Sequence, residues 1–284
     1  MPTVRLAHRA LILVTGPDAE SFLQNILTVD LTPVQAGEVV PGALLSPQGK
    51  ILFDFLVSRV EGGFRLDCRA AVATDFVRRL TMYRLRAKAE ITVEDESLVT
   101  VSLRGEAEAE NPGFGLVDRR FADGSVVRHY GTEPAETSDL MAWTAYRVKH
   151  GIAESGSDYE LGDAFPHDVL LDQIGAVGFK KGCYVGQEVV SRMQHRGTAR
   201  RRILLAEGEA DLPPTGTDIT VAGRLVGSMG SGLGRHGLAL VRIDKVKAAM
   251  DNGLAVTAGD VPVTLSIPGW AKFGFPEAAA DAGD

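Results

Sequence analysis

A cysteine in a cationic, glycine-flanked segment is the strongest candidate for a reactive side chain in this sequence. Cys183 follows Lys180, Lys181 and Gly182 and precedes a predicted helix at 187–194. Neighbouring cations and the positive end of a helix both lower the pKa of a thiol, which favours the nucleophilic thiolate. The composition leaves a second interpretation open, in which the cysteine is a small buried apolar residue.

Five arginines follow this cysteine between positions 192 and 202. Such a run is typical of a solvated surface. Guanidinium groups also pair with carboxylates in bidentate geometry, so the run could hold the polyglutamate tail of a cellular folate. Contact with RNA phosphates is the third interpretation, and the overall charge disfavours it.

The composition excludes several classes of protein. The chain has 284 residues, with 30 basic and 37 acidic side chains and a net charge of -7, so no global positive field attracts nucleic acid or anionic membranes. Apolar runs of about five residues are far shorter than the roughly 20 that a membrane-spanning helix needs. No secretory signal pattern is visible, and a cytoplasmic location is expected. The two cysteines lack a CxxC partner, so a disulfide framework or a self-contained metal site is not predicted.

The N-terminal half predicts strand, helix and antiparallel sheet. Apolar residues at helical spacing predict a helix over 19–27, after Pro17 and Asp18 at its first turn. Runs at 39–45, 51–60 and 64–68, separated by turn sequences, predict a β-meander. Helical spacing returns over 70–88, and short strands are expected at 91–93 and 98–103. A breaker-rich stretch at 106–113 predicts an exposed loop.

The C-terminal part predicts a helix over 138–150 and then mostly sheet. Short strands with frequent glycine, a pattern typical of a small barrel or sandwich, are expected at 203–205, 219–221, 225–228, 238–243 and 261–267. Glycine supplies 32 of the 284 residues, an excess that fits many tight turns. The length exceeds what one hydrophobic core usually supports, so two or three packed units are expected.

Residues 181–188 form a motif of high specificity. They read Lys-Gly-Cys-Tyr-Val-Gly-Gln-Glu, and Arg192 and Arg196-Gly197 follow. This string resembles the signature of the YgfZ group of folate-binding proteins and of their mitochondrial iron–sulfur assembly relatives. Further segments that resemble this group lie at 15–30, 42–54, 151–153 and 165–166, and at 225–228 in a barrel shared with the glycine cleavage T-protein.

The resemblance implies an α+β fold of the T-protein type, with three domains around a central hole. Two of the domains would be interwoven α+β units, and the third a small β-barrel. The expected boundaries are 1–50 with 136–199 for the folate-binding domain, 51–135 for a second α+β domain with an antiparallel sheet, 200–270 for the barrel and 271–284 for a flexible tail.

The resemblance also implies that the hole binds tetrahydrofolate or a folate derivative. Trp143 and Asp168 match positions that lie against the pterin in relatives. A flat indole suits a pterin, and a carboxylate can accept the paired N–H donors of an aminopyrimidine. From the residues alone, a core role for Trp143 and a helix-capping role for Asp168 remain open. Gln187, Glu188 and Arg192 are further expected cofactor contacts.

Two positions depart from the relatives. Arg9 replaces a second tryptophan of the YgfZ folate site and offers a partner for the glutamate tail. Phe53-Asp54 replaces two adjacent aspartates of the T-protein, and Phe53 suits packing on its strand. Because aminomethyl transfer must manage protons at the folate nitrogens, the loss of one carboxylate weakens the case for that reaction.

The predicted function is that of a tetrahydrofolate-binding protein that supports assembly or repair of iron–sulfur clusters, with indirect effects on tRNA modification. Cys183 would be the reactive group, and Lys181 would hold its thiolate form. The alternative is a folate-dependent aminomethyl or methyl transferase resembling the T-protein, so whether the chain is an enzyme stays open. Expected partners are folate and cluster assembly or client proteins, without a membrane, direct nucleic-acid binding or a metal site within the chain.

Overall fold

The structure is a computed structural model that describes residues 1–94, 98–104, 115–131, 134–197 and 199–276. The whole predicted loop at 106–113 and most of the predicted tail at 271–284 lie outside these residues. The chain divides into two compact units. The first comprises Met1–Trp143 and Ile174–Arg192, and the second comprises Thr144–Gln173 and Met193–Asp284. The boundaries of the three expected domains stay a prediction.

The first unit is built on a nine-stranded sheet. Its strands are β1 (Thr3–Arg5), β2 (Arg9–Thr15), β3 (Glu38–Leu45), β4 (Ile51–Val60), β5 (Gly63–Arg69), β6 (Glu90–Val93), β7 (Val99–Leu103), β8 (Leu116–Asp118) and β9 (Val126–Tyr130). Their order across the sheet is β1-β7-β9-β8-β3-β4-β5-β2-β6. The β3–β8 pair is parallel and the other neighbours are antiparallel, which confirms the predicted meander of β3, β4 and β5.

Two helices cover the apolar face of this sheet. They are α1 (Ala19–Ile26) and α2 (Ala73–Arg84), and α2 follows a short 3₁₀ turn at Ala70–Val72. Helix α1 buries Phe22, Leu23 and Ile26, as the helical spacing predicts. The ring of Phe53 stacks on that of Phe76 with centroids 4.7 Å apart, so the predicted packing role of Phe53 is confirmed.

Two further helices each include residues of both units. They are α3 (Leu140–Lys149) and α4 (Gln187–Arg196), close to the predicted spans 138–150 and 187–194. Helix α4 begins directly after Gly186, so the last two residues of the cysteine motif lie in it; it carries Glu188 in its first turn and Arg196 in its last. This arrangement complements the helix dipole.

The second unit contains a closed barrel. Its strands are β10 (Arg201–Gly208), β11 (Asp218–Val221), β12 (Arg224–Leu233), β13 (His236–Arg242), β14 (Val256–Ala258) and β15 (Val261–Ser266), in the order β10-β13-β12-β11-β14-β15. Strand β10 pairs with both β13 and β15, which closes the barrel and excludes the sandwich alternative. The predicted strand at 238–243 ends at Arg242, because Ile243 starts the helix α5 (Ile243–Asp251).

Candidate functional site

Residues 181–186 of the cysteine motif form a loop directly before α4. Cys183 is exposed, whereas the other cysteine, Cys68, is buried in β5. The neighbouring Tyr184 is buried. Its backbone carbonyl accepts a hydrogen bond from the backbone N–H of Gln187, the first residue of α4. The structure therefore places an accessible thiol four residues before the N-terminus of a helix.

The segment that leads into this loop is fastened to the chain after α1. The hydroxyl of Thr28 donates to the carbonyl of Ala176 at 2.7 Å and accepts the backbone N–H of Ala43 at 2.9 Å. The backbone N–H of Gly178 donates to the carbonyl of Thr28 at 2.8 Å. One fully buried threonine thus links β3 to the segment that precedes the cysteine.

Lys181 fastens the same segment through its side chain. Its ammonium Nζ donates to the carbonyls of Leu27 at 2.7 Å and Val29 at 2.9 Å, and it lies 5.3 Å from the ring centroid of Tyr184. Burial lowers the pKa of Lys181 to about 8, against a smaller opposing effect of Asp30. The expected role of Lys181 in holding the Cys183 thiolate stays a prediction, and the hydrogen bonds of its ammonium go to backbone carbonyls.

The other end of the loop lies against the β3–β4 turn. Gly186 has a φ of +80°, and a Cβ there would lie 2.5 Å from the carbonyl oxygen of Ser46. Gly49, also at φ +80°, would place a Cβ 2.9 Å from Cβ of Val189 on α4. Only glycine allows this close approach without strain. The loop around Cys183 is consequently held at both ends.

Thr28 is a site residue that sequence reasoning did not single out for a role. It lies between Leu27 and Val29 in a segment that resembles the relatives, but its contacts with Ala43 and Ala176 are non-local. A polar residue between two apolar ones near the end of a helix was the only signal available.

The three expected cofactor contacts on α4 are accessible. Glu188 and Arg192 are exposed and Gln187 is half-buried. Within the described ranges, their side chains form no hydrogen bond or ion pair with the protein. They are therefore available to a ligand or a partner, and their expected role in cofactor binding stays a prediction.

Trp143 lies in the core of the first unit. It is 1% exposed, and its ring contacts Phe121 and the guanidinium groups of Arg120 and Arg128, with separations of 5.7 to 5.8 Å. Its indole Nε1 is buried and has no hydrogen-bond partner among the residues that the structure describes. The faces of the ring are thus in contact with protein, while its N–H donor is not used.

A buried network of charges surrounds this tryptophan. The Asp67 carboxylate accepts hydrogen bonds from Arg9 and Arg128, each at 2.6 Å. Asp118 pairs with Arg128 at 3.0 Å and with Arg120 at 2.8 Å. Arg9 is 6% exposed, so it stabilises Asp67 instead of offering the accessible cation that was suggested for a glutamate tail.

Asp168 belongs to the second unit, and its carboxylate is partly engaged. Its Oδ2 accepts hydrogen bonds from the backbone N–H of Phe165 and from the guanidinium of Arg201. The first of these bonds comes from a residue that precedes Asp168, and residues 168–171 form turns instead of a helix, so the helix-capping interpretation is wrong. Arg202 pairs with Asp172 at 2.7 Å, so two of the five arginines of the basic run form intramolecular ion pairs.

These contacts test how well the expected folate residues suit a pterin. In the first unit Trp143 keeps an unused indole N–H, and in the second unit Oδ1 of Asp168 takes no part in the bonds described above. Stacking on Trp143 is not available in this arrangement, because Phe121 and two guanidinium groups occupy its surroundings. The surroundings of Trp143 therefore do not suit a stacked pterin, and the expected folate contacts of Trp143 and Asp168 stay a prediction.

Two family descriptions match separate parts of the chain. Residues 5–110 match the GCVT N-terminal domain, and residues 200–273 match the CAF17 C-terminal beta-barrel domain. The second match covers the observed barrel almost entirely.

Two relatives cover most of the chain. The human mitochondrial iron–sulfur cluster assembly factor IBA57 is 30% identical, over 94% of this chain and 84% of its own length. The chain belongs to the IBA57 family. An IBA57 homolog from Pyricularia oryzae, also mitochondrial, is 31% identical over 84% of this chain and 71% of its own length. The expected relationship of this chain to iron–sulfur assembly factors is confirmed.

A solved structure shows the same fold. The glycine cleavage system aminomethyltransferase T from Bartonella henselae superposes with a TM-score of 0.73 at 18% sequence identity, covering 94% of this chain and 84% of its own. With the barrel of six strands, this likeness confirms the expected α+β fold of the T-protein type. At this identity the likeness concerns the fold alone.

The expected cytoplasmic location is wrong when set against these relatives, because the named IBA57 proteins are mitochondrial. Short apolar runs exclude a membrane span but do not distinguish one aqueous compartment from another. Among the helices of the described residues, none is long and apolar enough to cross a membrane. Nor do the described residues contain a group of three or more His, Cys, Asp or Glu side chains placed to hold a metal ion.

Proposed function

We propose that this IBA57 family member is an iron–sulfur cluster assembly or repair factor of the YgfZ type, in which Cys183 is the reactive group. The human relative carries this function in its name. The observation that carries the proposal is an exposed thiol in a loop whose two ends are fixed. A reactive cysteine needs access and a defined orientation, and both are met here.

The chemistry proposed for Cys183 is coordination of iron. The thiol loses its proton to solvent, and the thiolate donates an electron pair to an iron ion of a cluster in transit. Iron–sulfur clusters are commonly held by four cysteine thiolates, and Cys183 provides one of them. The remaining ligands would come from the cluster's donor or recipient protein, which are the partners we expect.

Tetrahydrofolate is the proposed cofactor. When bound, a reduced folate supplies a carrier for one-carbon units and a reducing ring system. Trp143 with its unused N–H and Asp168 with Oδ1 are two separate candidate contacts, one in each unit. Gln187, Glu188 and Arg192 would contact the ligand from α4, and effects on tRNA modification would follow indirectly from cluster enzymes.

The transferase alternative has less support in the site. The residue before Asp54 is Phe53 and not a second aspartate. The ring of Phe53 is buried against Phe76. The likeness to an aminomethyltransferase rests on the fold, and one fold hosts many functions.

The experiment is to replace Cys183 with alanine and to measure two properties. In cells that lack the protein, we expect Cys183→Ala to fail to restore the activity of cluster enzymes. The purified variant should bind tetrahydrofolate as the wild type does, because Cys183 makes none of the proposed folate contacts.

Two outcomes would contradict this proposal. Full restoration of cluster enzymes by Cys183→Ala would show that the thiol is dispensable, as the transferase alternative requires. Failure of the wild-type protein to bind tetrahydrofolate would remove the cofactor from the proposal while leaving the cysteine untouched. Trp143→Phe, which removes only the indole N–H from a ring of similar shape, is the matched variant for folate affinity.

A further inference from the structure

Hydrogen bonds from the side chains of Thr28 and Lys181 hold the segment before Cys183 against residues 27–29. The hydroxyl of Thr28 bonds to Ala176, and the ammonium of Lys181 bonds to the carbonyls of Leu27 and Val29 on either side of Thr28. Both contacts join parts of the chain that are about 150 positions apart in sequence. We call this arrangement the Thr28–Lys181 clamp.

The clamp is closely packed as well as hydrogen-bonded. A Cβ added to Gly178 would lie 2.8 Å from Cδ of Lys181, so the lysine stem lies directly on the backbone of the segment that it holds. Thr28 is 0% exposed, and its hydroxyl uses one donor and one acceptor function. A replacement that lacks the hydroxyl would leave the N–H of Ala43 without its partner.

The geometry favours a mechanical role of Lys181 over an electrostatic one. Its ammonium is directed at two carbonyls, and among the described residues no hydrogen bond joins it to Cys183. Lys180 provides a comparison, because it carries the same charge one position earlier and is exposed. If charge alone acted on Cys183, the two lysines would have similar effects.

We propose that Thr28 and Lys181 are positioning residues, whose clamp fixes the backbone at 176–181 and so presents Cys183 to the partner in one orientation. Fixing a reacting group before it meets its partner removes an entropic cost from the encounter. This inference rests on the proposed function of Cys183, but the clamp itself can be measured independently of that function.

The test compares two matched pairs of variants of the full chain. Lys181→Met removes the ammonium and keeps most of the stem, while Lys180→Met removes the same charge outside the clamp. Thr28→Val removes the hydroxyl and keeps the shape, while Thr28→Ser retains the hydroxyl. The two readouts are hydrogen exchange of the Gly178 amide, which donates to Thr28, and restoration of cluster-enzyme activity in cells lacking the protein.

We expect Lys181→Met and Thr28→Val to speed exchange of the Gly178 amide at least tenfold and to restore less than half of the enzyme activity. Lys180→Met and Thr28→Ser should match the wild type in both. Should Thr28→Val fail to fold, Lys181→Met carries the test, because it alters a partly exposed side chain.

Three results would overturn the inference. One is unchanged amide exchange in Lys181→Met, which would show that the clamp does not hold the segment. Another is an equal loss of activity in Lys180→Met and Lys181→Met, which would assign the effect to charge. The third is faster exchange of the Gly178 amide in Lys181→Met together with full cluster-enzyme activity, which would show that activity does not need the clamp. Cys183→Ser separates the two proposals: full activity in that variant contradicts the proposed function, while exchange still decides whether the clamp exists.

Discussion

The two cysteines differ in their surroundings in a way that determines their reactivity. Cys68 is 0% exposed within β5, and burial raises the pKa of its thiol to about 12, despite an opposing effect of Arg9. Cys183 is exposed in the loop before α4. Because the thiolate is the nucleophile, only one of the two is positioned to react in the folded protein.

This difference predicts selective alkylation. At pH 8, iodoacetamide should modify Cys183 and leave Cys68 unmodified, as peptide mass spectrometry would show. In urea both should react, since unfolding removes the burial that protects Cys68. Modification of Cys68 at a comparable rate in native buffer would contradict its assigned environment.

The ion pairs around Arg128 lead to a second prediction, which concerns how the free energy of unfolding depends on pH. Burial alone would raise the pKa of Asp118, but the guanidinium groups of Arg120 and Arg128 outweigh it and lower the pKa to about 2. An unfolded aspartate titrates near 3.9. The ionised carboxylate therefore adds about 2–3 kcal/mol to the free energy of unfolding above pH 4, which is lost as the pH falls towards 2.

Asp118→Asn should abolish this pH-dependent contribution. We expect the variant to be less stable than the wild type at pH 7 by about 3–5 kcal/mol, because it leaves buried guanidinium charge uncompensated. The difference should shrink as the pH falls from 4 towards 2. Urea denaturation at several pH values measures it, and Asp75→Asn, in an exposed pair with Arg78, is the control with little effect. A difference that does not change with pH would contradict the account.

At the scale of elements, the loop of the cysteine motif depends on two glycines in unequal ways. Gly186 has a φ of +80° and lies against Ser46 in the β3–β4 turn, whereas a Cβ added to Gly182 would meet nothing within 4 Å. The sequence shows both glycines simply as neighbours of Cys183. Only the structure distinguishes the glycine that docks the loop from the one that leaves space around the thiol.

Replacing each glycine with alanine tests this distinction. Gly186→Ala should lower the free energy of unfolding by at least about 1–2 kcal/mol, because its conformation is strained for a residue with a Cβ. Gly182→Ala, the matched control, should change it by less than about 0.5 kcal/mol. Thermal or chemical denaturation gives both values, and equal effects in the two variants would show that Gly186 does not dock the loop.

The elements also show how far the sequence could predict the fold. Helix α1 and strands β3 to β5 follow from periodicity, because each is long enough to show an apolar face. Strands β1 and β8 have three residues each and were not predicted, since pairing with distant strands creates them. For the same reason the pairs of Arg9 with Asp67 and of Lys181 with Leu27 could not be read from local patterns.

At the scale of the molecule, the IBA57 family membership and the site give one consistent picture. The net charge of -7 offers no general attraction for nucleic acid, and Cys183, Glu188 and Arg192 are exposed. Trp143, for which the sequence left a core role open beside a pterin contact, is buried with guanidinium groups and Phe121 around its ring. The fold could be predicted from the resemblance of the sequence, whereas the composition left both a reactive and a buried Cys183 open. The state of the expected folate residues could not be predicted, because their contacts are all tertiary.

The central claim is that the thiol of Cys183 is required for cluster assembly, and selective alkylation allows it to be tested on a natively folded chain. The wild-type protein is treated with iodoacetamide until Cys183 alone is modified, and it is added to an extract that lacks the protein. The measured quantity is the recovery of the activity of an iron–sulfur enzyme in that extract. We predict no recovery with the alkylated protein and full recovery with the mock-treated protein, and full recovery with both would contradict the account.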